Sequence, residues 1–143
     1  MKLPPQPKKN LLNELDFIIT KMKEETDIVR KIYFYSAVNG ALERASRFCF
    51  DKELLIAQVI TNISYNTIND RVTHLRMGDP IVPFPENLMD QLFASVSDLK
   101  RAVEEDTSVY PALEKAMEVT YMATGPGFYT RSFLQYVEAQ QRT

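Results

Sequence analysis

The chain has 143 residues and a mass of 16.5 kDa, enough for one domain that closes a single core without disulfide or metal staples. A hydrophobic fraction of 45%, a charged fraction of 25% and a formal charge of −2 belong to an ordinary globular protein. They exclude a general nucleic-acid coat, which needs a large positive excess to neutralise phosphates. One cysteine, Cys49, excludes an internal disulfide and fits a reducing, cytoplasmic setting. A single histidine excludes sites built on two imidazoles, and four glycines leave little from which to build a nucleotide-cradling loop.

In chain order, residues 1–9 carry Pro4, Pro5 and Pro7 and read as an extended, mobile arm before the single helical domain, 10–143. Asn10 is a fair N-cap, and Leu11, Leu15, Ile18 and Met22 follow at the three-four spacing of an amphipathic helix. No proline interrupts Asn10 to Phe50, and Gly40 is the only glycine there. The segment is one helix of about 40 residues, ~60 Å long, or two helices bent near Asn39 and Gly40. A long helix with a bend or a protruding end is expected.

Asp51 caps a second long helix over Lys52 to Met77, closed by Gly78, Asp79 and Pro80. Pro85 opens a third, whose seam is Leu88, Leu92, Val96, Leu99 and Val103. A fourth begins at Thr107 or Ser108, with Leu113, Met117, Tyr121 and Thr124 on one side. After Gly125-Pro126-Gly127 a last helix covers Phe128 to Gln141. The fold class is all-α: an antiparallel bundle of four, and up to five, helices with a long N-terminal helix. No stretch has the ~20 apolar residues of a membrane span.

Two segments are too apolar for helices that cover one core. Tyr33, Phe34 and Tyr35 are consecutive and point to three sides of a helix, just after Ile28 and Ile32. They are candidates for an oligomer interface, and Phe34→Glu should then give a monomer or an unfolded chain. Leu54 to Asn69 is sixteen residues without a charge, which predicts a helix enclosed on most sides. Asn62, Asn66, Asp70 and His74 fall at steps of four along it and form one slanting ridge, with Arg71 beside them. The ridge is either a buried polar network or a small-molecule pocket.

Chemistry finds little else. The Glu-x-x-His pairs of di-metal bundles are absent, since Arg71 stands three before His74, so neither a metal nor any other cofactor is expected. The Arg-x-x-His spacing also departs from the longer Arg-to-His spacing of some helical-domain ribonucleases. Leu42 to Arg47 and Asn87 to Phe93 are loosely similar to helices of corrinoid adenosyltransferases, whose ATP-cradling lysine segment has no counterpart here. No family is assigned on either basis. Gly127, Thr130 and Arg131, after the Gly-Pro-Gly break, are candidates for anion binding. Two readings of function follow. The first is a small cytoplasmic bundle that self-associates, as a dimer or larger, and serves as a binding or scaffold module. The alternative is an enzyme binding a nucleotide or phosphometabolite between helices.

Overall fold

A computed structural model of the chain describes residues 1–76, 86–124, 137, 138, 140 and 141, with 73–76, 86 and 123–124 described by their backbone alone. Five helices account for nearly all of these residues, and no strand occurs among them: α1 (Pro5–Glu24), α2 (Ile28–Ser46), α3 (Lys52–Arg76), α4 (Glu86–Glu104) and α5 (Tyr110–Thr124). The all-α bundle expected from the sequence is the fold.

The long N-terminal helix is two helices, and the break lies at 25–27 rather than at Asn39 and Gly40. Glu25 is extended, at φ −82 and ψ 135, and its carboxylate accepts from the backbone N–H of Thr26 and of Asp27. The Asp27 side chain in turn accepts from Val29 N at 3.1 Å and caps α2. Helix breaking here is thus a matter of side-chain oxygens taking the orphan donors of a helix start, without glycine or proline. Helix α2 runs unbroken through Gly40.

The N-terminal arm is also different from expectation. Pro5 needs no N–H donor at the first helical position, so α1 starts there, five residues before Asn10. Met1, Leu3 and Pro7 are buried, and the Met1 ammonium donates to Thr107 O at 2.9 Å.

Helix α4 ends in a Schellman turn. Asp106 has a left-handed backbone, φ 54, while Thr107 N bonds to Ala102 O at 3.0 Å and Asp106 N to Val103 O at 3.4 Å. Lys8 finishes this end by donating to Glu104 O at 3.0 Å and to the Asp106 carboxylate at 3.1 Å.

The helices pack in a ring. Helix α1 lies against α2 and α4, α2 against α3, α3 against α5, and α5 against α4. Cross-links give the directions. Glu14 with Arg44, Asn39 with Gln58, Asp98 with Lys115 and Lys8 with Asp106 make α1/α2, α2/α3, α4/α5 and α1/α4 antiparallel. Helices α3 and α5 are parallel: Glu53 meets Val109, and eleven residues on in each helix Ser64 meets Thr120.

The seam read for α4 (Leu88, Leu92, Val96, Leu99 and Val103) is buried throughout, as are Leu11, Leu15, Ile18 and Met22 of α1. On α5, Leu113 and Met117 are buried but Tyr121 is exposed, and Thr120 takes the inward place.

At the parallel seam, Glu53 in the first turn of α3 accepts from Val109 N and from Ser108 Oγ, both at 2.8 Å. Its other oxygen lies 3.4 Å from the Met1 ammonium. One carboxylate therefore serves the N-terminal ends of two parallel helices, where the macrodipoles place positive charge side by side.

Candidate functional site

Helix α3 begins with Asp51, whose carboxylate accepts from Glu53 N at 2.8 Å. With Asp51 as N-cap, Phe50 and Leu55 hold the two positions that pair in a hydrophobic staple. Phe50 is 82% exposed, and the outward face continues through Leu55 and Val59, each 42% exposed. It then passes to Asn62, Asn66 and Asp70, all exposed. The spacing of three and four keeps these residues on one side of the helix.

The enclosure expected for Leu54 to Asn69 is therefore corrected. One side of α3 faces the core through Leu54, Ala57, Ile60, Ser64 and Ile68, and the opposite side faces solvent. The ridge of Asn62, Asn66 and Asp70 is an outer surface, where Asn66 Nδ2 donates to Asn62 Oδ1 at 3.2 Å. It is neither a buried network nor a cleft. Arg71 is half-buried beside it. The side chain of His74, and Gly127, Thr130 and Arg131 with the whole Gly-Pro-Gly break, lie outside the described residues.

The aromatic candidates of α2 divide. Ile32 and Tyr35 are buried in this chain's own core, so they are not available to a second chain. Ile28 and Phe34 are half-buried and pack against that core. Tyr33 alone of the five is exposed, edge-on to Phe34 at a ring separation of 6.1 Å. Three consecutive aromatics do point three ways, but one of the three directions is inward.

The polar core lies elsewhere than the ridge. Ser64 and Thr120 share a hydrogen bond of 2.6 Å, and Thr120 also donates to Ala116 O at 2.7 Å. Thr61 donates to Ala57 O at 2.8 Å and stands within 3.5 Å of Asn39 Nδ2. The Tyr35 hydroxyl is fully buried without a hydrogen bond among the described residues. Burial raises its phenol far above the ordinary value, against a weaker pull from nearby Ser64. These hydroxyls come from three helices, Tyr35 from α2, Thr61 and Ser64 from α3 and Thr120 from α5, so no spacing within one helix announces the cluster. Each is held by packing, by another hydroxyl or by a backbone carbonyl one turn away, which makes the cluster structural.

Cys49 is a half-buried free thiol that faces Ala45 O at 3.4 Å. Burial, and then the Asp51 carboxylate, push the thiol above its ordinary value, away from the reactive range. Among the described residues no three His, Cys, Asp or Glu side chains converge on a metal position, and no helix is long and apolar enough to cross a membrane. What distinguishes the molecule is thus a surface: four turns of a solvent-facing helix without a charge. No family model, curated protein or solved structure matches the chain.

Proposed function

We propose that the protein is a self-associating helical bundle, a binding or scaffold module that pairs with a second copy of itself through the outer face of α3. The observation that carries this reading is the uncharged run Leu54 to Asn69, one side of which faces solvent. A solvated helical face ordinarily carries Lys and Glu; this one carries Leu55, Val59, Asn62 and Asn66, continued by Phe50.

Neutrality suits a copy better than a foreign partner. In a two-fold interface, residues near the axis meet their own counterparts, so any charge there would meet its like. An Asn amide carries both donors and an acceptor, so Asn62 and Asn66 can bond to their equivalents across the axis. Leu55 and Val59 would supply the apolar centre. The free thiol of Cys49 supports a reducing, cytoplasmic setting.

Sedimentation velocity tests the proposal. The wild-type chain should run at twice 16.5 kDa, and the Leu55→Glu, Val59→Glu variant at 16.5 kDa with unchanged helicity. A monomeric wild type, or a folded variant that stays dimeric, would overturn it.

A further inference from the structure

The N-terminal half of α1 and the last turn of α2 enclose an open groove of about 450 Å³, within the range of small-molecule sites. Its floor is apolar: Leu11 is 1% and Ala45 5% exposed. Phe48, on the segment leaving α2, forms a wall and is itself 72% exposed. Neither wall nor floor belongs to the outer face of α3, so this site is independent of self-association.

The polar rim is built on two guanidiniums. Arg44 and Arg47 line the groove on the α2 side, and Glu14 is the one carboxylate among the lining residues. Arg44 gives Glu14 only its Nε, at 2.6 Å, while its terminal nitrogens fold back over Gly40, where a Cβ would stand 3.4 Å from Nη1. Arg47 gives Glu43 only Nη2, also at 2.6 Å. Both guanidiniums thus keep N–H groups that no protein acceptor takes among the described residues, while each charge is matched by one carboxylate, Glu14 or Glu43. Asn13, on the opposite wall, offers an amide with no protein partner among those residues.

An apolar floor, an aromatic wall and two guanidiniums with spare N–H groups describe a particular ligand class. We propose that the α1–α2 groove binds a small monocarboxylate carried on an aromatic or branched apolar body. The body lies on Leu11 and Ala45 under the Phe48 ring, and the carboxylate accepts from the spare N–H groups of Arg44 and Arg47. Guanidinium forks match carboxylate geometry, which a lysine rim would not.

The test is an amide-resolved NMR titration of the full chain with phenylpropionate, against the neutral phenylpropionamide. Saturable shifts should be confined to residues 8–14 and 44–48, with the amide analogue at least about tenfold weaker. Arg44→Gln and Arg47→Gln, both on exposed side chains, should each weaken the acid about tenfold. Phe48→Ala should weaken acid and amide alike, and Glu14→Gln should tighten the acid by releasing Arg44. Absence of saturable shifts in the groove, equal binding of acid and amide, or wild-type affinity in both arginine variants would each overturn the proposal.

Discussion

Replacing Glu53 by alanine removes the carboxylate that joins α3 to α5. Two of its bonds, to Val109 N and Ser108 Oγ, are short at 2.8 Å, and its side chain is only 19% exposed. A hydrogen bond to a charged group contributes about 1.5–3 kcal/mol net, and Val109, fully buried, would keep an N–H with no acceptor. The Met1 ammonium, 3.4 Å away, would lose its counter-charge as well. Glu53→Ala should therefore lower stability by about 2–3 kcal/mol, a fall in Tm of roughly 6–12 °C for a chain of this size. Glu53→Gln keeps an acceptor for Val109 and gives up only the charge, so it should lose about 1 kcal/mol. Urea unfolding followed by far-ultraviolet circular dichroism at neutral pH measures both, with an unchanged m-value as the sign that only stability moved. A loss below about 0.5 kcal/mol for Glu53→Ala would refute the shared cap. A Gln variant as unstable as the Ala variant would show that charge, rather than the bonds, holds the seam.

Tyr35→Phe should raise stability by about 1 kcal/mol, because the hydroxyl is buried without a hydrogen bond; a loss of that size in urea unfolding would show that it is bonded. Asp106→Gly should gain about 0.5–1 kcal/mol by relieving a left-handed backbone at φ 54, since the exposed Lys8 ion pair that is lost contributes little; a lowered Tm would count against this. Cys49 should alkylate with iodoacetamide more slowly than a model thiol at pH 8, with a pH–rate inflection above the ordinary thiol value. Burial and the Asp51 carboxylate both disfavour the thiolate that reacts. An inflection below that value would contradict the placement of Cys49.

Legibility in the sequence followed the contrast between faces. Helix α4 alternates a clean apolar seam with Asp90, Asp98, Lys100 and Arg101, so its inward side could be read residue by residue. Helix α3 has no such contrast over Leu54 to Asn69. With both sides neutral, nothing in the pattern marks which side is wet, and the whole helix reads as enclosed. Its polar ridge was visible, but its direction was not. The α1–α2 break was hidden for another reason: Glu25, Thr26 and Asp27 are compatible with a helix, and only the bonds that the Glu25 and Asp27 carboxylates accept from nearby backbone N–H groups make them a boundary. The groove between α1 and α2 joins residues some thirty positions apart, such as Glu14 and Arg44, and no local spacing encodes such a meeting.

The five helices among the described residues, closed into a ring, cannot alternate in direction all the way round; one neighbouring pair must run the same way. Here that obligation falls on α3 and α5, whose contacts join residues 55 and 56 positions apart in the chain. The pairs α1/α2, α2/α3 and α4/α5 are joined by connections of a few residues and are cheap to close. The parallel seam, with the α1/α4 contact, is therefore where chain-closure entropy is concentrated and where the transition state for folding has least to gain early. Contact order predicts that folding starts from two locally built pieces, α1 to α3 and α4 with α5, that dock along these two seams. Native-state hydrogen exchange should accordingly show α4 and α5 opening together, as one cooperative unit, before α1 to α3 lets go.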